Sequence, residues 1–520
     1  MVETLFSDGE KPFVVSFSSP KGGVGTTLLS VNFAIQLAKK GNSVLLLDLA
    51  INKASAHLFL GMGLPEKNLS VLTTSKGSDL KSCVSATPVS NLSLIAGMPE
   101  SLDISNITYL SKQKIITEIQ NLPFEYIVID SGSGTSNDSL DFTLSSDCAI
   151  FVVSPNPLTI EPFYRYLRAL LHRLFMLSLN KKRYQSLKNK IDKNSPLKGF
   201  FELEETTETD IKDIEKTILE KSFGFVFTKA TEKDFKLGPQ VEDVIEKFFQ
   251  ISVTFLGNID WDLITEQATI SMEPISKNYP VSSYSLSVEK LVNKIMKFQE
   301  EPLLHHDIRK KNTENLTAYQ VLEISSNSHP KEIQVAYQKK LEIYSDNSFV
   351  TIGLMTKEEK EKERDFLEQN YKLLINSQSR QKYDEELISK NLLKEEDRIS
   401  DYREIQEQQR IVQESLEMTQ ESGEEKNEQC EISDFSYYDG PTLKKIRLMK
   451  KVSVEEIVSE TNIRSWYIDS IEEERFDALP ARLYVKGFLK QIAMYLKLPV
   501  EKVLRDYLER YDSLMAKKGE

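Results

Sequence analysis

The chain has 520 residues, of which 40% are hydrophobic, and it carries a formal net charge of −13 at pH 7. This length predicts roughly two to four domains, and the charge argues against nonspecific nucleic-acid binding by the whole chain. The sequence has no apolar run of the roughly 18–20 residues that cross a membrane and no signal-peptide pattern, so we expect a cytoplasmic protein. The three cysteines, Cys83, Cys148 and Cys430, lack the paired spacing of a zinc site or a disulfide framework.

Short apolar runs alternate with helix-like stretches from Phe13 to about Phe298. These runs are FVVSF, SVLLLDL, LSLIAG, YIVID, CAIFVVS, FGFVF and ISVTFLG. Continuous apolar strands separated by helices are typical of a parallel sheet that is buried on both faces. We therefore predict an α/β fold for residues 1–300, with helices on both faces of the sheet. Residues 180–222 are first basic and then acidic, which predicts a surface insertion with one helix.

The turn after the first apolar run is rich in glycine, and an amphipathic stretch follows it. Glycines in a strand-to-helix turn let backbone N–H groups converge on phosphate oxygens, and the helix N-terminus adds partial positive charge. The pattern therefore predicts a phosphate-binding site made of Lys21, Gly22, Gly23, Val24, Gly25, Thr26 and Thr27. A glycine-rich turn that binds no ligand is the alternative.

This turn resembles the deviant P-loop of the MinD, ParA and FlhG proteins, whose pattern is Lys-Gly-Gly-x-Gly-Lys-Thr. The resemblance extends through SVLLLDLAINKASAHLFLG, YIVIDSGSG and LDFTLSSDCAIFVVSPNPLTIEPFYRYLRAL, covers about residues 13–298, and is closest to the FlhG-like branch. It implies that Lys21 reaches across a homodimer to the partner's nucleotide. It also implies that Thr27 and Asp130 hold Mg²⁺, the latter through water, and that Asp48 lies beside the phosphates of ATP or ADP.

Two positions depart from the family pattern. Thr26 replaces the P-loop lysine, which removes a charge-assisted phosphate contact worth about 1.5–3 kcal/mol. Ala50 replaces the second acidic residue of the Asp-x-Asp pair, and the loss of a positioned base costs about 10²–10⁴ in rate. Lys21 or Lys53 could compensate for the first loss. We expect weak binding of Mg²⁺ with ATP or ADP and negligible hydrolysis, with a slow active ATPase as the alternative.

Residues 316–390 resemble a J-domain. The resemblance rests on Tyr319-Gln320-Val321-Leu322, a predicted antiparallel helix pair and a closing Arg380-Gln381-Lys382-Tyr383-Asp384 segment. J-domains stimulate an Hsp70 partner through a His-Pro-Asp tripeptide, and Ser345-Asp346-Asn347 stands in its place here. We favour a helical hairpin that serves as a spacer or docking module. Residues 391–436, rich in Glu, Gln, Lys and Ser, are predicted to form an acidic helical or flexible linker.

Apolar helical periodicity returns in residues 437–516, where Ser453 and Glu456 predict a capping box. The segment ALPARLYVKGFLKQIAMYL resembles the cytoplasmic helix-turn-helix domain of RodZ proteins, which binds the actin-like filament protein MreB, whereas related repressor domains bind DNA. The predicted third helix, residues 462–474, is acidic, and base readout needs positive or amide side chains there. A protein partner is therefore favoured over DNA, although the first helix carries a basic cluster of Lys444, Lys445, Arg447, Lys450 and Lys451.

The combined hypothesis is a MinD/FlhG-like spatial or regulatory protein, in which a degenerate P-loop switch or scaffold is coupled to a protein-binding helix-turn-helix module. It predicts a homodimer through the P-loop domain and a protein partner, an MreB-like filament or a polar regulator, at the C-terminal domain. A DNA-binding transcription regulator is the alternative. Because no transmembrane segment is predicted, peripheral contact with the inner face of the membrane would need a partner.

Overall fold

The computed structural model describes most of the chain, and its described residues divide into two compact units, 1–410 and 411–520. Lys53 and most of the predicted linker at 391–436 lie outside the described residues. The described ranges are 11–50, 54–70, 79–97, 109–192, 196–231, 234–300, 316–398, 437–450, 452–461, 463, 465–476, 482–496 and 498–516.

Eight strands of the first unit form one sheet. They are β1 (Phe13–Ser19), β2 (Val44–Asp48), β3 (Ser85–Ala86), β4 (Leu92–Ile95), β5 (Tyr126–Ser133), β6 (Cys148–Val153), β7 (Ser222–Thr228) and β8 (Thr254–Ile259). Their order across the sheet is β3-β4-β2-β5-β1-β6-β7-β8. The short edge strand β3 runs antiparallel to β4, and the other pairs are parallel.

Twelve helices of the described residues up to 300 connect or flank these strands. They are α1 (Thr26–Lys39), α2 (Ala56–Phe59), α3 (Tyr109–Ile119), α4 (Asn137–Ser145), α5 (Pro157–Ser178), α6 (Lys181–Leu187), α7 (Pro196–Phe201), α8 (Glu208–Leu219), α9 (Leu237–Phe249), α10 (Leu263–Ile270), α11 (Ile275–Asn278) and α12 (Ser283–Glu300).

Side chains of the central strands alternate between two buried layers. Val15 of β1 packs in one core with Phe33 of α1 and Val288 of α12. Its neighbour Val14 packs on the opposite side with Ile115 of α3. Successive residues of a strand point to opposite faces, so a strand buried on both faces reads as a continuous apolar run. The predicted α/β fold with helices on both faces is confirmed.

The region predicted as an insertion, residues 180–222, contains three helices, α6, α7 and α8. Leu187, Phe200 and Ile214 are buried in the core under α5. The sequence predicted one helix because the segment is strongly charged. Part of that charge forms a salt bridge within the segment, where Arg183 of the basic half lies 2.7 Å from Asp210 of the acidic half.

Residues 316–398 form a helical unit within the first compact unit. Its helices are α13 (Ala318–Leu322), α14 (Pro330–Ile343), α15 (Lys357–Ile375) and α16 (Ser377–Ser389). Stacking of Tyr337 on Tyr371, with ring centroids 4.3 Å apart, joins α14 to α15. The fully buried Arg380 donates to Tyr319 Oη at 2.9 Å and to the carbonyls of Ser326 and Ser328. The predicted helix pair is present, and its J-domain resemblance stays a prediction.

The described residues of the second compact unit are helical. The helices are α17 (Gly440–Met449), α18 (Val454–Thr461), α19 (Ser465–Glu472), α20 (Arg482–Tyr495) and α21 (Val500–Ala516). The expected capping box starts α18, since Ser453 Oγ accepts from Glu456 N at 3.1 Å and the Glu456 carboxylate accepts from Ser453 N at 2.6 Å. In the part of the chain that the structure describes, no helix combines the length and apolar character needed to cross a membrane.

Candidate phosphate-binding site

The glycine-rich turn lies between β1 and α1. Gly23 and Gly25 have φ angles of 85° and 92°, which residues other than glycine rarely adopt. Gly25 is the N-cap residue of α1, so the helix begins directly where the turn ends. The arrangement points free N–H groups and the positive end of a 14-residue helix towards one spot, as an anion site requires.

A cavity of about 430 Å³ opens over this turn. The predicted residues Gly22, Gly23, Gly25, Thr26 and Thr27 line it. Residues from neighbouring strand ends, loops and helices complete the wall: Ser19, Leu28, Ala50, Ser55, Phe59, Gly132, Ser133, Lys229, Trp261 and Thr269. None of the lining residues that the structure describes carries a carboxylate or an imidazole.

The two predicted carboxylates are paired in register: Asp48 ends β2, and Asp130 lies within the adjacent strand β5. Both are fully buried, beneath the cavity wall rather than in it. Asp48 Oδ1 accepts from Ala50 N at 3.1 Å, and Oδ2 accepts from Ser55 N and Ala56 N at 3.0 Å. Asp48 therefore holds the loop that carries Ala50 and Ser55 to the cavity.

Burial and the negative charge of Asp130 raise the pKa of Asp48 to about 7, against the opposing effect of its three N–H donors. Burial also raises the pKa of Asp130, against the smaller effects of Thr27 and Gly132. Two buried carboxylates side by side repel each other unless a cation or a proton lies nearby.

The residues fit a magnesium ion. Asp130 Oδ1 accepts from Gly132 N at 3.0 Å, whereas Oδ2 is buried with no hydrogen-bond partner among the described residues. Thr27 lines the cavity next to this carboxylate. No cluster of three or more acidic, His or Cys ligands occurs in the described residues. This donor set suits Mg²⁺, which binds one or two protein oxygens together with waters and phosphate oxygens.

Two other predicted residues lie elsewhere. Val24 is buried, and its side chain belongs to the core beside α1. Lys21 is exposed and lines a separate cleft of about 490 Å³ with the start of α5. Neither side chain reaches the cavity over the turn.

The sequence reasoning missed Lys229 and Trp261, which complete the cavity. Lys229 Nζ donates to Gly23 O at 3.3 Å and lies 4.8 Å from the centroid of the Trp261 ring. The preceding Thr228 donates to Val24 O at 2.7 Å, which ties the end of β7 to the turn. Lys229 is the only cation among the described lining residues. The available signal was its position directly after a predicted strand, where parallel sheets place ligand contacts.

Comparison with known proteins assigns the fold around this cavity. A family model described as an AAA domain matches residues 13–174. The flagellum site-determining protein YlxH of Helicobacter pylori is 26% identical over 169 residues, which cover 31% of this chain and 55% of YlxH. The antiactivator FleN of Pseudomonas aeruginosa is 22% identical over 284 residues, which cover 54% of this chain and 85% of FleN. Residues 13–174 thus match the AAA-domain model and are similar to MinD- and FlhG-like P-loop proteins.

The extent of these matches is limited. The chain spans about half the length of YlxH and of two further curated relatives, at 55%, 52% and 53%. A solved structure of MinD from Pyrococcus horikoshii, complexed with Mg-ADP, has 18% identity and a TM-score of 0.40. That alignment covers 55% of this chain and 97% of that one.

The MinD/ParA-like domain of this chain keeps the glycine turn but has Thr26 and Ala50 at the two departing positions, both on the cavity wall. Ala50 lies tightly against the next loop, because a Cβ added to Gly132 would be 3.1 Å from Ala50 Cβ. A methyl group and a hydroxyl therefore face the space where the family pattern has a carboxylate and an ammonium group.

A second family model, described as a helix-turn-helix domain, matches residues 442–503. The C-terminal unit is a helix-turn-helix domain. Arg447, predicted as part of an exposed basic cluster, is buried instead and forms a bidentate pair with Glu472 of α19 at 2.6 and 2.9 Å. That prediction was wrong for Arg447, because its neighbours in sequence do not reveal a partner 25 residues away. Phe488 of α20 packs on Tyr467 of α19 with ring centroids 5.0 Å apart.

Proposed function

We propose that the chain is a MinD/FlhG-like regulatory protein whose P-loop domain binds Mg²⁺ with ATP or ADP weakly and hydrolyses ATP negligibly. One observation carries the proposal. A single cavity combines a complete glycine turn with Thr26 and Ala50 at the positions of the family's lysine and second acid. The first feature supports binding, and the other two remove charge and water activation.

Nucleotide binding is supported by groups that remain. The turn and the N-terminus of α1 provide N–H donors for the phosphates. Thr27 and Asp130 would hold Mg²⁺, which neutralises phosphate charge when bound. Lys229 provides a positive charge at the cavity, although it approaches from β7 rather than from the turn. Asp48 acts indirectly, by holding the backbone N–H groups of Ala50 and Ser55.

Negligible hydrolysis follows from what the cavity lacks. A water molecule attacking a phosphate must be oriented by a hydrogen-bond acceptor or base. The described lining residues provide hydroxyl groups but no carboxylate and no imidazole. Asp48 and Asp130 lie beneath the wall, where three backbone N–H groups occupy Asp48 and the unpartnered Oδ2 of Asp130 is the oxygen that would face Mg²⁺.

Protein partners complete the proposal. Exposed Lys21 lies on the surface through which the resemblance implies a homodimer. The helix-turn-helix domain binds a protein, an MreB-like filament or a polar regulator, rather than DNA. Two ion pairs support this. Arg447 pairs with Glu472, and Lys444 lies 3.6 Å from Glu473, so less positive charge of the basic cluster is available for DNA phosphates.

The test is phosphate release by the full-length chain. We expect background turnover, and the double variant Thr26→Lys, Ala50→Asp should raise it by about 10²–10⁴ because it restores the phosphate cation and the water-positioning group. Thr269→Lys, which adds a lysine to another wall of the same cavity, is the matched control and should stay at background. Magnesium-dependent hydrolysis by the unmodified chain that Asp130→Ala abolishes would refute the proposal.

A further inference from the structure

Helix α5 presents one face to the helical unit of residues 316–398. Glu161, Tyr164 and Arg168 lie on this face, at helical spacings of three and four residues. Tyr164 Oη donates to Val350 O at 2.5 Å, and Arg168 Nη2 donates to Gly353 O at 3.1 Å. The loop between α14 and α15 is therefore fixed to α5 by its backbone.

A second set of contacts fixes the helical unit to α9. Lys247 Nζ lies 2.8 Å from the Glu363 carboxylate and donates to Tyr344 Oη at 3.0 Å. Gln240 Nε2 donates to the Glu342 carboxylate at 3.3 Å. Beneath these polar contacts, one continuous apolar core includes residues of α5, α9 and the helical unit. A flexible tether would not share a continuous apolar core with the P-loop domain.

Residues 349–355, here called the clamp segment, fit closely against α5. Val350, Thr351 and Leu354 are buried. Gly353 has a φ of 69°, and a Cβ added there would be 3.0 Å from Glu161 Cγ. An alanine there would combine a strained backbone with a contact that forces the Glu161 side chain to shift.

The clamp segment also forms one wall of the cleft that contains Lys21. The cleft is lined by Pro20 and Lys21, by the start of α5 from Pro157 to Arg165, and by Ile352 of the clamp segment. The position of Ile352 is set by the nearby Val350 and Gly353, whose carbonyl oxygens accept hydrogen bonds from α5.

We propose that the helical unit is an intramolecular clamp on the P-loop domain: the clamp segment holds the N-terminal half of α5 and, through Ile352, narrows the approach to the exposed Lys21 from the α5 side. The unit then has a regulatory function within the chain. Release of the clamp segment exposes α5 and widens the cleft, and docking closes it. This inference does not depend on nucleotide binding, because every contact that carries it lies outside the cavity over the glycine turn.

The test uses the full-length chain without nucleotide. Hydrogen exchange should be slow in peptides from α5 and from the clamp segment. Gly353→Ala should raise exchange in both by about tenfold, because the new methyl group presses on Glu161 in a strained backbone. It should also raise the rate at which an amine-reactive label modifies Lys21.

Gly41→Ala is the matched control, because Gly41 has a similar φ of 97° but nothing within 4 Å of an added Cβ. It should change neither α5 exchange nor Lys21 labelling. A second variant, Lys247→Met, keeps the aliphatic stem, removes the contacts with Glu363 and Tyr344, and should raise exchange in the helical unit. The proposal is overturned if Gly353→Ala loosens only the clamp segment while α5 and Lys21 behave as in the unmodified chain.

Discussion

Lys229 places a positive charge at a cavity from which Thr26 has removed one. Its backbone has a φ of 58°, a conformation that is uncommon outside glycine, and Thr228 anchors the strand end beside it. Stacking of its ammonium group near the Trp261 ring orients the side chain over Gly23. A strained residue that is held from two sides is typical of a functional position.

Replacement of this charge should weaken nucleotide binding. We expect Lys229→Met to lower the affinity for ATP by about tenfold or more, because a charge-assisted contact contributes about 1.5–3 kcal/mol. The measurement is isothermal titration calorimetry of each variant with ATP. Lys236→Met, at an exposed lysine that does not line the cavity, serves as the control. An affinity that is the same in both variants would exclude Lys229 from the site.

Among the helices, a salt bridge between Arg447 of α17 and Glu472 of α19 links two helices of the helix-turn-helix domain. Arg447 and Glu472 are both buried, and Arg447 Nη1 also donates to Val452 O at 3.0 Å. A buried carboxylate left without its partner is strongly destabilising. Arg447 is therefore a structural residue of the domain rather than a contact for phosphate.

Arg447→Met should lower the free energy of unfolding of the helix-turn-helix domain by about 3–5 kcal/mol. Lys450→Met, at the C-cap of the same helix, should change it by no more than about 0.5 kcal/mol. Urea-dependent hydrogen exchange of the full-length chain, read in peptides from α17 to α19, measures both. The double variant Arg447→Met, Glu472→Met should recover part of the loss. Equal stability of the two single variants would contradict the assignment.

The loop between α14 and α15 bears on the J-domain resemblance. Asp346 in the place of the tripeptide pairs with Arg364 at 3.0 Å, and residues later in the same loop contact α5. We expect the chain to leave the ATPase rate of an Hsp70 chaperone unchanged, because the interacting tripeptide is absent and part of the loop is already bound. A steady-state ATPase assay with a genuine J-domain as positive control measures this. Several-fold stimulation would show that the loop still engages the chaperone.

At the scale of the whole molecule, local sequence patterns were enough to predict the sheet and the glycine turn. Continuous apolar runs located seven of the eight strands, and glycine spacing located the turn, because both features depend on residues close together in the chain. The two-residue strand β3 was missed, since so short an edge strand leaves no pattern.

Contacts between distant residues could not be predicted in this way. Lys229 meets Gly23 across 206 positions, and Tyr164 meets Val350 across 186. Nothing in either local sequence specifies its partner. The same holds for the charged residues at 180–222, whose pairing with one another turned a predicted surface insertion into packed helices.

The central claim is that this MinD/ParA-like domain binds nucleotide without turning it over. Calorimetric titration of the full-length chain with ATP and ADP, with and without Mg²⁺, tests it most directly. We predict weak binding that depends on Mg²⁺, is lost in Asp130→Ala, and is strengthened by about one to two orders of magnitude in Thr26→Lys. Absence of binding by the folded chain, with no gain in Thr26→Lys, would contradict the account and leave the glycine turn as an element of the fold alone.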